Sequence, residues 1–179
     1  MSDSNQTPDL ELEFTFLASA IPDEITNATP KRLIDIYIPD TDSVHPRLRL
    51  RQKGESFELT KKVPVAEGDA STQYETTIKL DNDEFDALRA VSKKSVVKDR
   101  YEVVINGYPA EVDVFLEDLK GLILIDFEFS NEDERSKFTA PAICLADVTQ
   151  EDFIAGGQLA GKSYADIEHF LKEFNYRPL

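Results

Sequence analysis

The chain has 179 residues, 41% of them hydrophobic, and its 35 acidic residues outnumber its 20 basic ones, which gives a formal net charge of −15. This length allows one domain with a substantial core, and the charge excludes a general affinity for nucleic acids or anionic membranes, which would be repelled. The single Cys144 excludes an internal disulfide, and the absence of a signal-peptide pattern or a long apolar run predicts a cytoplasmic protein.

The first predicted element is a tail. Residues 1–9 are polar and predict a disordered segment in front of a single domain that spans residues 10–179. From residue 11 onward, polar and apolar side chains alternate, as they do in strands that bury one face. This pattern, punctuated by the hairpin signal Asn106-Gly107, predicts eight strands, at residues 11–16, 33–38, 46–52, 56–63, 74–80, 96–105, 110–116 and 122–129.

Helices are predicted between the strands and at the C-terminal end. Residues 81–92 carry apolar side chains at helical spacing. Capping-box spacing predicts further helix starts, and the last of these opens a well-formed amphipathic helix; the pairs are Ser130 with Asp133, Thr149 with Asp152, and Ser163 with Asp166. Together the elements predict an α+β fold dominated by antiparallel strands.

The third predicted strand alternates arginine with leucine. Arg47, Arg49 and Arg51 lie on one face of an extended strand, and Leu48 and Leu50 lie on the other. Guanidinium groups at this spacing suit a row of phosphate oxygens, because they are planar, always charged and bidentate. The alternative is an amphipathic strand with a solvated basic face.

Other strands also carry charged or polar side chains at alternate positions, opposite an apolar face. They are Glu11 and Glu13; Glu58, Thr60 and Lys62; Glu75 and Lys79; Lys98 and Arg100; Glu111 and Asp113; Asp126 and Glu128. A sheet with one polar face is ordinarily open to solvent on that face. The alternative is a closed barrel with helices outside, in which the charges point into a lumen and pair, bind metal ions or hold a ligand.

The order of these motifs resembles the CYTH family, whose members are the triphosphate tunnel metalloenzymes. The resemblance covers residues 10–160 and rests on the set of motifs rather than on any one of them. The matching segments are Glu11-Leu12-Glu13, Arg47 to Arg51, Phe57 to Lys62, Lys98 to Tyr101, Glu111 to Phe115 and Asp126 to Phe129.

The resemblance implies an eight-stranded antiparallel β-barrel, or tunnel, with helices outside and at the C-terminal end, and a small triphosphate bound inside with Mg²⁺ or Mn²⁺. By position, the implied substrate-binding residues are Arg47, Arg49, Arg51, Lys62, Lys98 and Arg100. The implied metal ligands are Glu11, Glu13, Glu75, Glu111, Asp113, Asp126 and Glu128, and the implied catalytic set is Glu11, Glu13, Lys62 and Glu128.

The function implied is metal-dependent hydrolysis of inorganic triphosphate or a related organic triphosphate. Alternatives are ATP cyclisation, as in class IV adenylate cyclases, and a binding module for polyphosphate or a nucleotide without catalysis. Thr15 stands where the family usually has lysine, and Thr77 stands where it usually has a second glutamate. One cation and one carboxylate are therefore expected to be absent from the lumen, which motivates the binding-module alternative. The sequence makes no prediction of oligomeric state.

Overall fold

The fold was obtained as a computed structural model, and the structure describes residues 8–41 and 44–179. Residues 1–7 of the predicted tail lie outside the described residues. The first strand begins at Asp9, so the last residue of the predicted tail already belongs to the sheet. Within the described residues, no helix has the length and apolar character needed to cross a bilayer.

Nine strands of the described residues form one antiparallel sheet. They are β1 (Asp9–Ala18), β2 (Lys31–Ile38), β3 (Leu48–Lys53), β4 (Ser56–Pro64), β5 (Thr72–Leu80), β6 (Ser95–Ile105), β7 (Tyr108–Phe115), β8 (Ile123–Phe129) and β9 (Cys144–Asp147). The strand order is β5-β4-β3-β2-β6-β7-β8-β1-β9, and β1 also pairs with β5. That additional pairing closes the first eight strands into a barrel.

The predicted α+β barrel is confirmed, and each of the eight predicted strands is present. Closure joins β1 and β5, the two ends of the eight-strand barrel, with Leu10 opposite Tyr74 and Glu11 opposite Gln73. The Asn106-Gly107 hairpin is also confirmed, since both residues have positive φ, 51° and 86°, in the turn between β6 and β7. β9 was not predicted, because four residues after Pro141 show too little alternation to signal a strand.

The structure contains four α-helices in its described residues. They are α1 (Asn82–Arg89), α2 (Glu132–Lys137), α3 (Gly156–Leu159) and α4 (Tyr164–Glu173). α1 carries a capping box between Asp81 and Glu84. The predicted start of α4 is confirmed, and the Ser163 backbone N–H donates to Asp166 Oδ2 at 2.8 Å.

Two predicted helix caps were wrong. The cap of α2 is Asn131 rather than Ser130, because the Asn131 side chain accepts from the backbone N–H of Glu134 at 2.9 Å. Thr149 does not cap a helix, since its hydroxyl donates to Asp147 Oδ1 at 2.6 Å and accepts from the backbone N–H of Thr15 at 3.0 Å. It therefore ties the segment after β9 to β1.

The two ends of the barrel are bordered by different segments of the chain. One end carries the short β3–β4 and β6–β7 turns and is called the hairpin end here. The other is crossed by residues 148–179 and is called the plug end. An apolar cluster at the plug end joins barrel strands to the C-terminal segment; its members include Leu17, Phe115, Leu124, Leu159, Ile167 and Leu171. Burial of these side chains removes apolar surface from water and anchors the segment across the barrel.

The C-terminal segment is also held by hydrogen bonds. The buried Tyr176 hydroxyl donates to the carbonyl of Gly121 at 2.9 Å and accepts from the backbone N–H of Ile123 at 2.8 Å. The outer faces of the strands are covered separately, with Phe85 of α1 packing on Ile36 and Leu50, and a second cluster centred on Phe127. With the apolar faces buried outside, the charged faces point inward.

Candidate active site in the barrel lumen

A cavity of about 430 Å³ occupies the barrel interior. Because side chains alternate along each strand, closing the sheet brings all the charged faces to one chamber. Every residue that the sequence predicted for the site lines this cavity, namely Glu11, Glu13, Arg47, Arg49, Arg51, Lys62, Glu75, Lys98, Arg100, Glu111, Asp113, Asp126 and Glu128. The structure thus brings the predicted set together.

Lys62 lies at the centre of three carboxylates. Its ammonium contacts Glu11 Oε2 directly and lies 3.6 Å from Glu75 Oε2 and 3.8 Å from Glu13 Oε2. Burial disfavours the ammonium, but the charges of Glu13 and Glu11 outweigh it and raise the pKa of Lys62. The neighbouring Lys61 is exposed on the outer face of β4. Only one of the two adjacent lysines therefore serves the lumen.

Arg49 is partly buried, and its hydrogen-bonding capacity is incompletely used. Its guanidinium lies 3.8 Å from Asp35 Oδ2 and 3.9 Å from Glu75 Oε2, both longer than a hydrogen bond. Its Nε has no hydrogen-bond partner among the described residues. A buried donor in this state costs free energy unless an acceptor reaches it, so an anion in the lumen would stabilise this arrangement.

Arg51 differs from Arg49 because a carboxylate already binds its fork. Nε and Nη2 of Arg51 donate to the two oxygens of Asp35 at 2.7 and 2.8 Å, and Asp35 is 1% exposed. Burial alone would raise the pKa of Asp35, but the charges of Arg49 and Arg51 hold it well below its usual range. Asp35 was not among the predicted site residues. Its only signal was one carboxylate in the otherwise apolar alternation of residues 33–38.

Lys98 and Arg100, on β6, form a second cluster with carboxylates of the neighbouring β7. Arg100 donates to Asp113 from Nε at 2.7 Å and from Nη2 at 2.6 Å, and it contacts Glu111 through Nη1. Lys98 contacts the same Asp113 carboxylate. Burial alone would raise the pKa of Asp113, yet the charges of Arg100 and Lys98 lower it, so the carboxylate is ionised and shared between two cations.

The two threonines at the departures from the family pattern both make hydrogen bonds to lumen carboxylates. Thr15 Oγ1 donates to Asp126 Oδ1 at 2.8 Å. Thr77 Oγ1 donates to Glu75 Oε1 at 2.8 Å and lies 2.9 Å from Thr60 Oγ1. Thr60 is 2% exposed, and it was not among the predicted site residues. Each hydroxyl orients its carboxylate by a hydrogen bond. The charged side chain that the family usually has at the same position would instead pair with that carboxylate or repel it.

Three lumen carboxyls hold their protons more tightly than usual. Burial, with the charges of Glu13 and Asp113, raises the pKa of Asp126 to about 8. Burial also raises the pKa of Glu11 to about 7, against the opposing charge of Lys62, and it raises the pKa of Glu128 with help from Glu111 and Glu13. This side of the lumen therefore has more carboxylates than its cations compensate.

This excess makes the stability of the metal-free protein depend on pH through Asp126. An aspartate with its ordinary pKa of 3.8 ionises in the unfolded chain, whereas the folded chain keeps the proton up to about pH 8. The free energy of unfolding should therefore fall as pH rises between these values, and Asp126→Asn should remove on the order of 3 kcal/mol of that fall. Urea unfolding in chelator-treated buffer at about pH 5 and about pH 9 measures it.

The exposed Asp133→Asn is the control for this experiment, because its side chain lies on α2 outside the lumen. Wild type and the control should lose stability in parallel over that pH range, and Asp126→Asn should lose less. Three parallel curves would contradict the placement of Asp126 in an under-compensated cluster.

The donor chemistry of this cluster fits the Mg²⁺ or Mn²⁺ that the resemblance implies. Glu13 on β1 lies directly opposite Glu128 on β8, and Asp126 is the next inward residue of β8. All three offer carboxylate oxygens, which hard divalent cations prefer. Within the described residues no three such side chains already converge on one point. This arrangement suits an ion that shares its coordination with water and phosphate rather than one enclosed by protein alone.

Comparisons with known proteins point in the same direction. No protein-family model matches the chain. In sequence it is similar to the inorganic triphosphatase of Nitrosomonas europaea, with 36% identity over 143 residues, which are 79% of this chain and 90% of that protein.

Solved structures show the same architecture. The crystal structure of an inorganic triphosphatase is 28% identical, with a TM-score of 0.60 over 84% of this chain and 93% of that one. A Bacillus halodurans protein described as a candidate adenylate cyclase is 17% identical, with a TM-score of 0.54 over 97% of this chain and 94% of that one. At the latter identity the likeness shows the fold alone.

Proposed function

The chain belongs to the CYTH family of triphosphate tunnel metalloenzymes, and from that premise we propose that it hydrolyses triphosphate inside the barrel. The substrate is inorganic triphosphate or a related organic triphosphate, and water cleaves a terminal anhydride bond to release orthophosphate. The observation that carries the proposal is the closed lumen, in which inward-facing cations on β3, β4 and β6 face a surplus of carboxylates. The 36% identical triphosphatase from Nitrosomonas europaea supports it.

The cations would hold the non-transferred phosphates. Arg49, with its buried and unpartnered Nε, and Lys62, at the centre of the carboxylates, supply charge-assisted hydrogen bonds to phosphate oxygens. Arg47, Lys98 and Arg100 extend this set along the chamber wall. Because Asp35 binds the fork of Arg51, we assign Arg51 a supporting role, in which it contributes charge and holds the arginine strand in place.

The carboxylates would hold Mg²⁺ or Mn²⁺ once a triphosphate enters. The carboxylates that the family resemblance implies as ligands are Glu11, Glu13, Glu75, Glu111, Asp113, Asp126 and Glu128. When bound, the ion neutralises phosphate charge and polarises the phosphoryl oxygens. Among these residues, Asp113 is already shared by Lys98 and Arg100, so we propose that it positions those cations.

Catalysis in such a site needs positioning and charge neutralisation more than covalent chemistry. The proposed catalytic set is Glu11, Glu13, Lys62 and Glu128. Lys62 compensates charge that develops on the phosphates, and the Glu13 and Glu128 carboxylates, directly opposite one another, orient the attacking water. The apolar plug limits bulk water to the remaining openings, which strengthens the electrostatic interactions inside.

The test is release of orthophosphate from inorganic triphosphate. We expect release with Mg²⁺ or Mn²⁺, and a loss of about 100-fold or more after chelation, because the surplus carboxylates repel a naked polyphosphate. Restoring the ion should restore the rate. No release with either ion from neutral to alkaline pH would contradict the proposal.

The alternatives give different products. A cyclase would convert ATP to cyclic AMP and pyrophosphate, and its support is a likeness in fold to a protein of 17% identity. A binding module would show a higher melting temperature with triphosphate and metal ion but no turnover. The cytoplasmic location and the absence of a nucleic-acid partner stay predictions from the sequence.

A further inference from the structure

The plug end of the barrel retains a polar opening beside the apolar plug. Its frame consists of the β4–β5 loop and the segment that follows β9, and Asp69, Ala70, Gln150, Glu151 and Asp152 all line the cavity there. These residues lie outside the set that the family pattern implies. A ligand longer than the chamber would have to leave it through this opening or through the hairpin end.

Gln150 joins the two sides of this opening. Its Oε1 accepts from the backbone N–H of Ala70 at 2.9 Å, and its Nε2 donates to Asp69 Oδ1 at 3.1 Å. Asp69 Oδ1 also accepts from the backbone N–H of Ser71 at 2.9 Å, so the loop end is fixed as a unit. We call this arrangement the Gln150 clamp. It ties the β4–β5 loop to the segment after β9 at this opening.

The other side of the loop is anchored independently. Arg135 of α2 donates through Nη1 to Ser71 Oγ at 3.1 Å and to Thr72 Oγ1 at 2.9 Å. Its guanidinium also lies over the Phe14 ring, 5.9 Å from the centroid. Because this anchor does not involve Gln150, loss of the clamp should free only the tip of the loop and leave β5 in place.

The charge at the opening is negative. Asp69, Glu151 and Asp152 line it, and among the described residues of this end Arg47 also lines the cavity. Glu151 and Asp152 are exposed, and Asp69 is partly exposed. A phosphate group that protruded here would meet the three carboxylates of Asp69, Glu151 and Asp152 against the single guanidinium of Arg47, and like charges at contact distance repel.

We propose that the Gln150 clamp and the Asp69 carboxylate limit the length of polyphosphate that the lumen accepts. This inference rests on the proposed function, since it concerns the same ligand. A triphosphate fits between the cations of the chamber. A linear tetraphosphate that extends toward the plug end must place its additional phosphate in the clamped, acidic opening, where the loop crowds it and the carboxylates repel it.

The experiment compares kcat/KM for linear tetraphosphate and triphosphate in wild type and in Gln150→Ala. We expect the ratio of tetraphosphate to triphosphate to rise about tenfold in the variant, which corresponds to the loss of one unfavourable contact. Gln52→Ala is the matched control, because the Gln52 side chain bonds to the carbonyl of Gly54 in the β3–β4 turn and does not line the cavity. An unchanged ratio in Gln150→Ala would overturn the inference.

A second variant separates charge from space and does not depend on the folding of the first. Asp69→Asn removes the negative charge but keeps the Oδ1 acceptor that Gln150 and Ser71 use. It should also raise the ratio, and less so at high salt, where charge repulsion is screened. A ratio equal to that of wild type at low salt would remove Asp69 from the mechanism.

The same ratio can be measured by binding. Calorimetric dissociation constants for the two polyphosphates with Mg²⁺ should show the same change in Gln150→Ala even if wild type turns over neither. Failure of the proposed function would then appear as binding without release of orthophosphate. Failure of the length limit would appear as the same ratio of tetraphosphate to triphosphate affinity in wild type and in Gln150→Ala.

Discussion

Replacing Arg49 with alanine is expected to weaken binding of metal–triphosphate by about 100-fold or more, because hydrogen bonds between charged groups are each worth about 1.5–3 kcal/mol. Arg49 has a buried Nε without a partner among the described residues, and its two ion pairs are long, at 3.8 and 3.9 Å. It is therefore available to a ligand. Calorimetric titration of the variant with triphosphate and Mg²⁺ measures the loss.

Lys61→Ala is the matched control for Arg49→Ala, because it removes the same charge from the opposite face of the sheet. Lys61 is exposed, whereas its neighbour Lys62 contacts Glu11 inside the lumen. The control should change affinity by less than about threefold, as expected for a screened surface charge. Equal losses in the two variants would mean that net charge, rather than a contact in the lumen, governs binding.

Replacing Asp35 with alanine is expected to lower the free energy of unfolding by about 3–5 kcal/mol, the cost of breaking a buried ion pair from one side. Asp35 is 1% exposed and binds both Nε and Nη2 of Arg51. Its loss would leave Arg51 buried without its carboxylate and would remove the opposing charge 3.8 Å from Arg49. Urea unfolding at neutral pH without ligand measures this effect.

Asp86→Ala is the comparison variant for stability. The Asp86 side chain is 55% exposed and lies 3.5 Å from Arg89 on the surface of α1. Exposed pairs of this kind contribute about 0–1 kcal/mol, so the comparison variant should remain close to wild type. A similar small loss in Asp35→Ala would contradict the role of Asp35 as the internal anchor of the arginine strand.

The barrel could be predicted because period-two alternation is a local property of the sequence. The alternation indicates which face of each strand is polar before any strand pairing is known, as Glu11 and Glu13 or Arg47 and Arg49 illustrate. Whether those polar faces point to solvent or to a lumen depends on the pairing of β1 with β5, which joins distant parts of the chain. The family resemblance supplied the closure, and the structure confirms it.

The different contacts of the individual lumen residues could not be predicted from this alternation. Arg49 and Arg51 have identical sequence patterns, yet only Arg51 meets Asp35 in a bidentate pair. That distinction arises from the register between β2 and β3, where Asp35 lies opposite Arg51 and Tyr37 opposite Arg49. Side-chain pairing across strands is set by register, and the alternation itself does not specify register.

The plug end also went unpredicted in its detail. The amphipathic α4 was expected, but the burial of Ile167 and Leu171 against barrel residues such as Leu124 depends on long-range packing. The capping interpretation of Thr149 was wrong for the same reason, because its hydroxyl serves β1 and Asp147 instead of a helix. Short polar residues make several local hydrogen-bonding patterns, and tertiary context selects among them.

The most direct measurement for the account is a crystal structure with triphosphate and Mn²⁺ bound. We expect the triphosphate inside the barrel, with Arg49 and Lys62 on its oxygens and Mn²⁺ between phosphate and carboxylates that include Glu13 or Glu128. Two results would contradict this account. One is a triphosphate bound on the outer surface of the barrel. The other is hydrolysis of triphosphate in the crystal while the lumen cations contact only protein carboxylates.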